Sequence, residues 1–165
     1  MSDIGLRVSR AALDLFRADG GLSSSIAALS IESGINVPVF QPDQACLLNA
    51  APELAEKATV AKYPIVALYC SKVSNQLKEK FRVFSGTVQM VAEARASQSR
   101  IDGIDQASHF LADAVTEVLD ANRGDWGNGM YYTGGYEITY GPVKQGGKNF
   151  VQVTKVVFNV EVSSD

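Results

Sequence analysis

The chain is poor in the residues that do chemistry. It has one histidine and two cysteines in 165 residues. Nucleophilic catalysis and zinc binding both draw on such groups in pairs or clusters. His109 has Asp105 and Asp113 one helical turn to either side and Asp102 further back, which reads as a solvated helix face with favourable i,i+4 pairs. No second histidine or cysteine is placed to complete a metal shell. Cys46 and Cys70 lack metal-ligand spacing and are expected as reduced thiols rather than a bridge. A basic excess is also missing, since the formal net charge is −3. That argues against a protein that grips nucleic acid through its phosphates. Long apolar runs are absent too. The longest, Pro64 to Cys70, falls far short of the roughly 20 residues that cross a bilayer. The opening MSDIGLRVSR has no apolar signal core, so a cytoplasm-like compartment is expected until the protein is assembled or released. The glycine-rich stretch Gly141 to Asn149 lacks the spacing, the Ser or Thr and the following helix of a phosphate loop. Asp120 to Asp125 has its glycine misplaced for a calcium loop, and Tyr131 stands where a glutamate belongs. No Gly-x-Ser-x-Gly elbow occurs. The expectation is a non-enzyme with no cofactor and no metal.

What the chain does have is an ordered alternation of periodicities. Residues 3–18 carry Ile4, Val8, Ala11, Ala12 and Leu15 on one helical stripe, closed by Gly20 and Gly21. Ser23 to Ser25 are placed to cap a second short helix through Ile31, with Gly34 at its end. Ile35 to Pro52 reads as an extended connector. Ile65 to Tyr69 is apolar on both parities, as in a strand covered on two faces. Phe81 to Ala96 alternates, with Phe84, Val88, Met90, Ala92 and Ala94 on one parity and Ser85, Thr87, Gln89, Glu93 and Arg95 on the other. At about 3.3 Å per residue it would reach roughly 50 Å, long enough to project beyond its own domain. Residues 101–122 give the clearest helix, and Met130 to Tyr140 and Asn149 to Val162 two further strands. The apolar parity of the last strand shifts between Val153 and Val156, which predicts a β-bulge near Lys155. The reading is an α+β fold. A segment 1–62, with helices and a connector, precedes a 63–165 domain of order β-β-α-β-β, whose antiparallel or mixed sheet has one long covering helix.

With only one helix over the sheet, the other face would be wet or would meet another subunit, and the over-long strand would invite pairing between chains. Phe110 points nearly opposite the apolar stripe of its helix, which suggests a subunit contact. Trp126, in a glycine-rich loop, either folds back on the core or anchors a partner. Lys144 and Lys148 stand on a flexible hairpin tip.

Tyr63 to Val162 resembles the tail-terminator (tail-completion) and neck joining proteins of tailed bacteriophages. The resemblance rests on the β-β-α-β-β order, the long strand ending Glu93-Ala-Arg95, the single helix, and the region from Asn122-Arg-Gly-Asp-Trp126 to Gly146-Gly-Lys148. It implies a structural virion protein, assembled in the host cytoplasm. Six copies would form a ring that ends the tail tube and joins it to the connector. Its partners would be itself, the tail tube and the neck proteins. DNA would pass through the ring without specific binding, and no membrane would be involved. Phe110, Trp126, Lys144, Lys148, Glu93 and Arg95 are the interface candidates. A head-side adaptor, a tail-tube-like subunit or a non-viral protein-interaction domain are the alternatives.

Overall fold

The computed structural model describes residues 3–35, 37, 39–52, 54 and 62–165. Two helices open the chain. Helix α1 (Ile4–Arg17) buries Ile4, Val8, Ala12 and Phe16, an unbroken i,i+4 stripe on which Phe16 takes the place expected of Leu15. Gly21 closes the turn that follows. A Cβ there would lie 2.5 Å from the Phe16 carbonyl oxygen, so no larger residue fits. Helix α2 (Leu22–Ser33) begins before the serines expected to cap it. Ser23 lies inside the helix and instead donates to the Phe40 carbonyl at 2.8 Å. Gly34, at φ +69°, ends the helix in the left-handed conformation that glycine tolerates.

The connector is not simply extended. A short 3-10 turn (Pro42–Gln44) leads into strand β1 (Ala45–Leu47), which joins the sheet parallel to β2 (Ile65–Asn75). The sequence hid β1 because three residues are too few to show a period. The sheet continues with β3 (Phe84–Gln98), helix α3 (Ile104–Ala121), β4 (Gly124–Gly127), β5 (Met130–Tyr140), β6 (Lys144–Gly146) and β7 (Asn149–Ser164). Its spatial order is β1-β2-β3-β7-β5-β4, with β6 also on β7. The β1–β2 pair is parallel and the other pairs are antiparallel, so the fold is α+β with a mixed sheet.

Strand β3 does not project from the domain. β7 is just as long and pairs with it from Phe84↔Ser164 to Gln98↔Phe150, while β2 covers its other side. Gly86 is where β2 comes closest, since a Cβ there would sit 1.9 Å from the Ser74 carbonyl oxygen. The bulge expected near Lys155 is also absent, because the β3–β7 register runs without a break. Gln152 and Thr154 keep the inward parity as buried polar residues. Gln152 is held there by Ser108 Oγ (2.9 Å), Asp105 (3.2 Å) and the Gly141 carbonyl (3.0 Å). The irregularity lies instead in β5, between Tyr132 and Tyr136.

More than one helix covers the sheet. Among the described residues, α1 lies over β1 to β3, α3 lies over β3, β7 and β5, and α2 packs against α3. All three belong to one face, and residues from α1 and α2 share a single apolar cluster with β3, α3 and β7. No described helix is long and apolar enough to cross a membrane.

Candidate assembly surfaces

The sheet's other face carries a buried ionic cluster. The strand register sets Ala67, Glu93, Lys155 and Thr139 side by side across β2, β3, β7 and β5. Arg95, two residues along β3 from Glu93, is only 1% exposed. Its Nη2 donates to Glu93 Oε2 at 2.9 Å and to the Ala50 carbonyl at 2.5 Å, and its Nε reaches Glu93 Oε2 at 3.3 Å. Glu93 Oε1 accepts the Tyr69 hydroxyl at 3.1 Å and lies 3.6 Å from Lys155 Nζ. The carboxylate thus meets two cations and a phenol. Arg95 Nη1 has no partner among the described residues. Glu93 and Arg95 were expected at a subunit contact. Both are buried, because β3 is a central strand and the Ala50 segment lies over this part of it.

The surroundings of this cluster act on nearby groups. Burial, then the Glu93 charge, then its hydrogen bond push the Tyr69 phenol up to about 12, with Arg95 opposing them. Burial also raises the Cys46 thiol, against the pull of Arg95 and Arg17. Cys46 and Cys70 are both free. A thiol raised in this way carries less thiolate and is a poorer nucleophile than a free one. A titration checks the Tyr69 environment. Its folded pKa lies above the unfolded value, so its contribution to stability is complete below about pH 10 and fades as pH rises to about 12. Tyr69→Phe should flatten the fall of stability with pH across that window, measured by urea unfolding at stepped pH. An unchanged slope would show that burial and the Glu93 carboxylate do not hold the Tyr69 phenol neutral.

A cavity of about 420 Å³ opens beside the cluster, between Glu93, Lys155, Thr139, Pro52 and the hairpin residues Lys144 and Gly146. The structure therefore brings together Glu93, Arg95 and Lys144 of the candidate residues. Lys148 stands exposed in the two-residue turn between Gly146 and Asn149.

The other candidates lie elsewhere. Phe110 is not at an exposed contact. It is 7% exposed and belongs to the core, because α2 packs on the side of α3 that the sheet leaves free. Trp126 is half-buried and folds back. Its Nε1 donates to the Asn122 carbonyl at 2.7 Å, and its ring lies 5.6 Å from Tyr132 and 6.4 Å from Phe158. His109 stacks on Tyr140 at 4.0 Å between ring centroids and lies 3.7 Å from Asp105. Among the described residues no group of three or more His, Cys, Asp or Glu is arranged to hold a metal.

Two surfaces escaped the sequence reading. One is the outer edge of β5, where β4 pairs with Met130, Tyr131 and Tyr132 and, among the described residues, no strand pairs with Thr133 to Tyr140 on that side, the Arg123 side chain lying against Gly134. The other is the β2–β3 turn, where Phe81 is 98% exposed. The alternating pattern starts a strand at Phe81, although the charged run Lys78-Glu-Lys-Phe-Arg82 around it is the composition of a turn. A search against protein-family models finds no match, and a search of curated proteins finds no significant relative.

Proposed function

We propose that this chain is a structural virion subunit. Six copies form a ring at the head–tail junction of a tailed bacteriophage, which ends the tail tube and joins it to the connector. In this subunit β2, β3, α3, β5 and β7 would be the β-β-α-β-β unit of the tail-terminator family, with β1, β4, β6 and the N-terminal helices as additions. The observation that carries it is the edge of β5, which from Thr133 to Tyr140 pairs with no strand among the described residues. Soluble proteins shield such edges, because unpaired strand groups recruit other chains. On the opposite edge β1 covers Val66 to Leu68 of β2 and Arg17 Nε donates to the Ala45 carbonyl at 2.9 Å, while the rest of that edge, Tyr69 to Asn75, carries the charge of Lys72. From Thr133 to Tyr140 the β5 edge has no proline and only one charge, Glu137. A neighbouring chain would satisfy those groups. Lys144 and Lys148 remain exposed at the hairpin tip for contact with tube or connector. Sedimentation and negative-stain imaging test the reading. Six-fold rings that cap the ends of purified tail tubes are expected. A monomer or dimer at all concentrations, with no binding to tubes, would overturn it in favour of a simpler interaction domain.

A further inference from the structure

We propose that the β2–β3 turn is a knob that a neighbouring copy receives in the recess beside Trp126; this rests on the ring reading above. The knob is pre-ordered. Asn75 Nδ2 donates to the Val83 carbonyl at 3.0 Å, while its Oδ1 accepts from Leu77 N at 3.2 Å and Ser85 N at 3.1 Å. The Ser85 carbonyl accepts from Gln76 N and Lys78 N, and Ser85 Oγ from Glu79 N at 3.2 Å. Lys78 pairs with Glu161 at 3.7 Å, and Arg82 pairs with Glu79 and Asp165. Within this frame Leu77 and Phe81 hold positive φ of 47° and 67°. Such conformations are costly for bulky residues and persist where the surroundings over-determine them. The result is a fixed turn with Phe81 98%, Leu77 65% and Val83 57% exposed. An exposed aromatic carried on an ordered turn needs little backbone ordering on docking, and aromatic residues are enriched at interfaces.

The recess has about 460 Å³ and lies between α1, the end of α3 and β4. Ala11, Leu15, Trp126 and Met130 give it apolar walls, and Asp14 and Asp125 give it acid. Arg123, the cation on its wall, is already paired with Asp120 at 2.8 Å. Charge therefore complements the knob, where Lys80 directly precedes Phe81. Position fits as well. Met130 pairs with Val162 and Phe84 with Ser164, so recess and knob lie at the same end of the sheet, one on its β4 side and one on its β2 side. A contact between two different patches is heterologous and must close or run on. Side-by-side copies joined at one level along their strands suit closure into a flat ring.

Phe81→Ser should leave the circular dichroism and melting temperature of the subunit unchanged and raise the ring's dissociation constant about 30-fold or more, as loss of a central anchor does. A double variant, Lys80→Cys with Asp14→Cys, should cross-link on oxidation into a ladder ending at the closed ring, with each single variant as control. Complete rings from Phe81→Ser, or rings of the double variant without a ladder, would overturn the knob and leave the ring reading standing. Open filaments carrying the cross-link would keep the knob and overturn the ring. A wild-type chain that stays monomeric would overturn both.

Discussion

Phe110→Ala should lower the unfolding free energy by about 3 kcal/mol, toward the lower end of the range for a buried phenylalanine. The side chain is 7% exposed and sits in the apolar cluster shared by α2, α3 and the sheet. Removing the ring takes away its transfer free energy and leaves a void beside the neighbouring helix. The cost stays near the lower bound because Phe110 also lines a cavity of about 450 Å³ bounded by Ile35, Pro64 and Leu111. Part of the new space would be continuous with that opening and would not remain an enclosed void. Urea unfolding of the subunit, at concentrations too low for assembly, measures the loss directly. A change under about 1 kcal/mol, together with a weakened oligomer, would return Phe110 to the subunit contact that the sequence suggests.

That prediction reverses what the sequence implies, and the reason is physical. A helical wheel reports which side of a helix is apolar but not how many neighbours cover it. Leu111, Val115, Val118 and Leu119 marked one stripe of α3, and Phe110 fell outside it. With one covering helix assumed, an aromatic off the stripe had to face solvent or another chain. The structure places α2 there, and the buried arc of α3 widens to take in Phe110 and Ala114. α2 itself gave little warning, because it buries only Leu22 and Ile26. By contrast, α1, β3, α3 and β7 were legible, since each holds its period for many residues. The mistaken bulge in β7 has a related cause. Hydrophobicity marks the inward face only where that face is apolar, and Gln152 and Thr154 turn inward as buried polar groups.

The surfaces were less legible than the fold. Glu93 and Arg95 lay on the polar parity of β3, and polar parity ordinarily means solvent. Nothing local shows that the Ala50 carbonyl, Tyr69 and Lys155, far away in sequence, close over them. The β5 edge cannot be read from one sequence either, because edge or centre is a property of strand order. Phe81 could have been found. A lone phenylalanine between Lys80 and Arg82, with Glu79 beside them, is a poor start for a buried strand and a good apolar tip for a turn.

The Glu93–Arg95 pair carries the largest expected effect. Glu93→Leu should cost about 3–5 kcal/mol, because it leaves a guanidinium that is 1% exposed with the Ala50 carbonyl as its remaining partner among the described residues. Arg95→Met should cost less, about 2 kcal/mol, since Glu93 would keep the Tyr69 hydroxyl at 3.1 Å and Lys155 at 3.6 Å. The double variant removes both buried charges and their desolvation together, and the methionine can fill much of the arginine's space. It should therefore be close to wild type in stability, well short of the sum of the single losses. The positive Nη1 with no described partner points the same way, because the wild-type pair is itself imperfectly satisfied. Chemical unfolding of the four proteins in the cycle gives the coupling energy. Additive losses would mean that the two side chains act independently and that the arginine is held by the backbone alone. If Arg95→Met instead proved the more damaging single change, the carboxylate would be the poorly compensated member, and Lys155, which is half exposed, would be contributing little to the cluster.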